Sequence, residues 1–327
     1  MTATLYRGSR PGTRGRARDW AEIQERMLVP LYETVYDRLE VGAGTRLLGL
    51  GCGSGLALML ASARGAAVIG HDRDAERLAL ARERLAARER DRPPEHRTRL
   101  LAGDLRLADL RTADPRTDRP RGTAALAART PALSGAASAG NGRTPPPAPD
   151  APSGAGEPAA DRSGSWPGRG YDVVTAFEPA APAAELGPAL AAVARTARRG
   201  STVVLAGWGP PERCATSHVL KVATRLAEPR GAAAPALRLS GRDDLEDLAR
   251  TAGLRPDGSG RVSCPFGYPD LPSAVRGLLS TGLFDAAVAA TDHQQVDKEL
   301  AEALHPYRRP DGSVRMENVF RYLIART

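Results

Sequence analysis

Cysteine is scarce in this chain of 327 residues: Cys52, Cys214 and Cys264 stand alone, without paired spacing and with no histidine cluster near them. That excludes a disulfide framework and offers no zinc site, so no metal is expected. Lysine is almost missing too. Only Lys221 and Lys298 occur, and nearly all of the 46 basic residues are arginines spread along the whole length. The formal charge of +8 accompanies abundant alanine, glycine and proline, and reads as a bias of composition rather than a phosphate-binding face. Nucleic acid is therefore not the expected partner. Long apolar runs are also lacking, so no membrane span is expected. The stretch from Met1 to Arg18 is polar and arginine-rich, without the apolar core of a secretory signal. A soluble, cytoplasmic protein is the expectation.

Asp19 to Leu39 places Trp20, Ile23, Met27, Leu31 and Val35 at helical spacing, and Pro30 divides the pattern into two shorter helices. With the preceding tail they form an N-terminal unit, residues 1–40, whose helices are expected to cap one face of the core. From Thr45 the rhythm changes. TRLLGLGCGSG predicts a buried strand at Arg46 to Leu50, a glycine-rich turn, and an apolar helix at Leu56 to Ala63. A second strand, Ala66 to Gly70, ends in His71 and Asp72; a strongly periodic helix follows, then a third strand at Thr98 to Ala102 ending in Gly103 and Asp104. Strand and helix alternating in this way predict parallel strands with right-handed crossovers.

Residues 111–169 change character again, running through RTPPPAPDAPSGAGEPAADRSGS with almost no large apolar side chain. Such a segment cannot bury enough surface to offset its ordering entropy, and is expected to be a disordered insertion. The α/β pattern resumes beyond it, so the core is expected over 41–110 and 170–327. Strands are predicted at Tyr171 to Phe177 and Ser201 to Trp208, with a helix at Leu186 to Arg198 between them. Further on, helices are predicted at Asp243 to Ala252, Leu271 to Ala290 and Gln295 to Leu304. A strand is expected at Val262 to Phe266, and another at Asn318 to Ala325 as an antiparallel edge.

One constellation carries chemistry. Gly51, Cys52, Gly53, Ser54 and Gly55 follow the first strand, and Asp72 ends the second. Glycines there let the backbone approach a ligand, and a carboxylate at the neighbouring strand tip can accept both hydroxyls of a ribose. A nucleoside site follows from that pairing. A dinucleotide fold would use the same logic with G-x-G-x-x-G, but here Leu56 stands where its third glycine belongs, which disfavours a nicotinamide-dependent oxidoreductase.

Taken in order, LLGLGCGSG, VIGHD, LLAGDL, YDVVTAF and RRGSTVVLAGWG resemble the successive motifs of class I S-adenosylmethionine-dependent methyltransferases. The resemblance implies a Rossmann-like, doubly wound, mostly parallel seven-stranded sheet with an antiparallel last strand and N- and C-terminal cap helices. It also implies S-adenosyl-L-methionine as cofactor. The glycine loop, Gly51 to Gly55, would pack on its methionine part, Asp72 would hold the ribose, and Asp104 with Leu105 the adenine. Arg73, Trp20 and Phe177 complete the expected contacts.

Two positions depart from the family pattern. An acid usually stands two residues before the first motif glycine, where it orients the cofactor's amino group; here that residue is Gly49. After the fourth strand, where relatives carry Asn or Asp followed by an aromatic, this chain has Glu178, Pro179 and Ala180. The second departure argues against base or amide nitrogen as acceptor and favours a small molecule. Methyl transfer from a sulfonium is an in-line displacement that needs chiefly alignment, and Glu178, His218 and His71 are the candidate proton acceptors. Trp208, Phe266 and Tyr268 are candidate apolar walls, or else core. The competing expectation is a catalytically degenerate relative that serves as a binding or regulatory module, with the insertion as its docking segment.

Overall fold

The structure is a computed structural model, and it describes residues 12–89, 98–103, 170–177, 183–227 and 239–327. Asp104, Leu105, Glu178 and the segment 111–169 lie outside them.

A seven-stranded sheet forms the centre: β1 (Arg46–Leu50), β2 (Ala67–Asp72), β3 (Arg99–Ala102), β4 (Val173–Ala176), β5 (Thr202–Trp208), β6 (Arg255–Ser263) and, after a small separate hairpin, β9 (Val319–Arg326). Their order is β3-β2-β1-β4-β5-β9-β6. The first five are mutually parallel, and β9 runs antiparallel to both of its neighbours. The doubly wound, mostly parallel sheet implied by the resemblance is the one observed.

Helices cover both faces. On one lie α2 (Val29–Arg38), α3 (Leu56–Ala63), α4 (Ala75–Glu89) and α6 (Thr216–Ala227), packed on Leu47, Val68, Val173 and Val204. On the other, α5 (Ala183–Thr196) and α7 (Asp244–Thr251) pack on Leu48, Leu50, Val174, Val203 and Leu205. The central strands are buried on both sides, which is why they read as continuous apolar runs.

The N-terminal segment begins earlier than its apolar spacing suggests, with α1 (Thr13–Asp19). A π turn at Trp20–Gln24 and a 3-10 turn at Glu25–Leu28 follow, and Pro30 falls in the first turn of α2, where its missing N–H costs nothing. Toward the C-terminus lie α8 (Leu271–Ser280), α9 (Asp285–Ala290) and α10 (His293–Leu304), with β7 (Phe266–Tyr268) and β8 (Val314–Met316) paired as a separate ribbon.

Three expectations need correction. The strand predicted at Val262 to Phe266 straddles the end of β6 and the start of β7; the stretch RPDGSGRVS carries no apolar alternation because β6 is a half-exposed edge. The helix predicted over Leu271 to Ala290 is two helices, parted where Gly282 takes φ +84°. The strand at the C-terminal end is antiparallel but interior, since β6 pairs along its far side. The amphipathic stretch TSHVLKVATRLA from Thr216 forms α6.

Candidate active site

The site lies at the carboxyl ends of β1, β2 and β4, where open α/β sheets bind their ligands. β1 runs out at Leu50, and the loop turns through Gly51 (φ +62°), Gly53 (φ +57°) and Gly55 (φ +79°) before α3 begins. A Cβ on Gly55 would stand 3.0 Å from the Ala81 Cβ of α4, so glycine is needed there both for its dihedral and for the close packing of helix on loop.

Asp72 fixes this loop. Its Oδ2 accepts from the Gly53 amide at 2.7 Å and its Oδ1 from the Asp74 amide at 2.8 Å. The carboxylate is 7 % exposed. An ionised carboxylate has about four acceptor positions, so two backbone donors leave room for a vicinal diol. Beside it, the Nε2–H of His71 donates to the Gly103 carbonyl at 2.6 Å, tying the tips of β2 and β3 together. His71 thereby has a structural partner. Arg73 is exposed at the mouth.

Gly49 has a packing reason. It is level with Gly70 on β2 and Thr175 on β4, and the two glycines admit Leu58 of α3 close to the sheet. A Cβ at 49 would lie 2.9 Å from Leu58 Cδ2, and one at 70 would lie 2.5 Å from Leu58 Cδ1. Leu58 itself is buried. An acid at 49 would require the Leu58 side chain to shift.

A carboxylate arrives from elsewhere. Glu25, in the 3-10 turn of the N-terminal segment, is 2 % exposed and reaches across the glycine loop. It accepts from Ser54 Oγ, from the Leu56 amide at 3.4 Å, and from Arg84 Nη1 at 2.9 Å. Burial pushes its carboxyl above the ordinary range, opposed by the Ser54 hydrogen bond and the Arg84 charge. Trp20 lies next to it, with the Arg77 guanidinium 4.2 Å above its ring centre. Its Nε1 is buried and has no hydrogen-bond partner among the described residues.

These groups share one small cavity of about 20 Å³, lined by Trp20, Glu25, Tyr32, Gly49 to Gly53, Ala57, Leu58, Thr175 and Phe177. That volume suits a water molecule, not a nucleoside. Phe177 packs its ring against Tyr32 and Tyr36, with centres 5.1 Å and 5.9 Å apart. Cys52 lies beneath the loop, and burial, with the Asp72 and Glu25 carboxylates nearby, raises its thiol well above the usual value. It is a neutral packing residue at physiological pH.

The structure thus brings together Gly51, Cys52, Gly53, Ser54, Gly55, Asp72, Trp20 and Phe177. His218 is not among them: it stands on the exposed side of α6. Trp208, Phe266 and Phe320 form an aromatic cluster in the core, and Tyr268 is buried with its hydroxyl donating to Gln24 Oε1 at 2.9 Å. Sequence reasoning missed Glu25. In a regular helix it would sit about 140° from Trp20, on the polar side; the π turn rotates Gln24 and Glu25 inward. Among the described residues no helix is long and apolar enough to cross a membrane, and no cluster of His, Cys, Asp and Glu could hold a metal ion.

No protein-family model and no curated protein matches the chain. Solved structures do. A SAM-dependent methyltransferase from Thiobacillus denitrificans, in complex with S-adenosyl-L-homocysteine, is 14% identical over 96% of this chain and 99% of that one, with a TM-score of 0.48. The magnesium protoporphyrin IX methyltransferase of Synechocystis PCC 6803 is 12% identical over 78% of this chain and 83% of that one, at 0.39. The cyclase SpnF is 15% identical over 91% and 80%, at 0.44. Strand order and register define the fold of this chain without them.

Proposed function

We propose that this protein is an S-adenosylmethionine-dependent methyltransferase acting on a small-molecule acceptor. The observation that carries the reading is the loop from Gly51 to Gly55, held by the Asp72 carboxylate at the tips of two adjacent parallel strands. Bound there, S-adenosylmethionine would supply an electrophilic methyl group on a good leaving group. The donor set fits: Asp72 keeps acceptor capacity for a ribose diol, the loop glycines permit close approach, and Trp20 Nε1 is a buried donor awaiting an acceptor.

The chain's own share is binding, alignment and exclusion of water. Tyr32, Phe177 and Trp20 wall the cavity with apolar surface, and alignment alone accounts for much of the acceleration such a displacement needs. Of the expected proton acceptors, Glu178 is the one retained, on its position in the sequence directly after Phe177, a cavity-lining residue. The exposed setting of His218 does not favour it. Adenine recognition is assigned to Asp104 and Leu105 by their place in the chain after β3.

One observation favours the second reading, a binding or regulatory module: the N-terminal segment fills the cleft down to a cavity of about 20 Å³. Calorimetric titration with S-adenosylmethionine and S-adenosylhomocysteine separates the two. Saturable binding by the wild type is expected, weakened about a hundredfold in Asp72→Ala, since two hydrogen bonds to a charged group are lost. Folded wild-type protein that binds neither compound would leave only the second reading.

A further inference from the structure

Resting on the S-adenosylmethionine reading, we propose that Glu25 and Trp20 form the subsite for the α-amino-acid end of the bound nucleoside. The Glu25 carboxylate takes the ammonium, and the Trp20 Nε1–H takes the carboxylate. The N-terminal cap, not the end of β1, reads this part of the ligand.

A zwitterionic amino-acid head presents one cation and one anion close together, and its burial demands an acceptor of full negative charge and a donor side by side. The end of β1 offers no such acceptor, because residue 49 is glycine and the Leu58 side chain lies over it. Glu25 and Trp20 can. Their polar atoms converge on one point of the loop: the position a Cβ would take on Gly53 lies 2.9 Å from Glu25 Oε1 and 3.1 Å from Trp20 Nε1. Both line the same cavity as Gly49.

Each group is also unfinished in a way a ligand would complete. Of about four acceptor positions on a carboxylate, Ser54, Leu56 and Arg84 use three. Trp20 Nε1 has no hydrogen-bond partner among the described residues, an arrangement that costs about 1–3 kcal/mol wherever it persists. A purely structural role exists for Glu25, as a cap on the first turn of α3 and a partner for Arg84. That role explains the three donors already in place but not the idle indole beside them.

The test compares three probes by calorimetry: S-adenosylhomocysteine, its decarboxylated analogue, and 5′-methylthioadenosine, which keeps the nucleoside and thioether but has no amino-acid head. In Glu25→Gln, S-adenosylhomocysteine is expected to bind about tenfold or more weaker, with methylthioadenosine unchanged, as the loss of a charge-assisted bond requires. In Trp20→Phe, S-adenosylhomocysteine weakens while the decarboxylated analogue does not. Methylthioadenosine affinity reports the integrity of each variant, and if one variant loses it the other decides. Equal weakening of all probes, or an unchanged ratio between S-adenosylhomocysteine and methylthioadenosine, would overturn the assignment of Glu25 and Trp20 while leaving the cofactor reading intact. A wild type that binds none of the three would overturn both.

Discussion

Glu25 shows how a single side chain is held against its own preference. Its carboxyl is raised chiefly by burial, so the folded protein keeps the proton to higher pH than the unfolded chain, whose carboxyl titrates at about 4.5. The unfolded state then binds fewer protons across that window, and stability falls as pH rises through it. The stabilising contribution is complete below pH 4.5 and is lost above the folded value. Glu25→Gln removes this dependence. Urea unfolding at stepped pH is expected to show the variant gaining on the wild type as pH rises, and at least matching it at neutrality. A variant that instead loses ground with rising pH would mean the Arg84 ion pair outweighs the burial. A residue that weakens the fold while sharpening a site is the usual mark of function rather than architecture.

Among the elements, α3 and the strand tips beneath it fit through glycine. Leu58 sits over Gly49 and Gly70 of neighbouring strands, so Gly49→Asp, which would restore the acid common in the resembling family, forces the leucine aside. A loss of about 1–3 kcal/mol in urea unfolding is expected, as for other overpacked cores, with no gain in affinity for S-adenosylhomocysteine. β1, α3, α4 and β5 were legible in the sequence because strands buried on both faces and helices with one apolar face each leave a periodic trace. β6 left none: it is an edge strand built on Pro256, Gly258 and Gly260, with the Tyr322 ring of β9 lying where a side chain at 260 would go. Nor does any periodicity record the π turn that brings Glu25 inward. Asp72 and the glycine loop could be read from type and spacing; Glu25 could not, because its partners Ser54 and Arg84 are 29 and 59 residues away.

Across the whole molecule, all three cysteines are buried, at 7 %, 3 % and 0 % exposure for Cys52, Cys214 and Cys264. Burial raises each thiol, that of Cys264 to about 12, so little thiolate exists at pH 8. Ellman's reagent is expected to label none within minutes in the native state and three once the chain is unfolded. Rapid labelling of a single thiol in the native protein would indicate that the N-terminal segment opens readily over Cys52. That segment is clamped from two sides: Arg84 and Arg77 hold it from α4, while Arg276 and Asp285 of the C-terminal helices pair with Asp19 and Arg16, and Tyr268 of β7 donates to Gln24.

Chain order gives this clamp a timetable. On the ribosome the turn bearing Trp20 and Glu25 emerges early and meets Arg84 of α4 after 59 residues, yet its C-terminal partners come far later, as the Gln24–Tyr268 separation of 244 shows. β6 likewise emerges before β9, the strand that joins it to β5. Until β9 arrives, β6 has no place in the sheet. A growing chain can therefore complete its glycine loop long before the C-terminal contacts on the N-terminal segment exist, and the sheet itself is complete only when the interior antiparallel strand β9 has followed them.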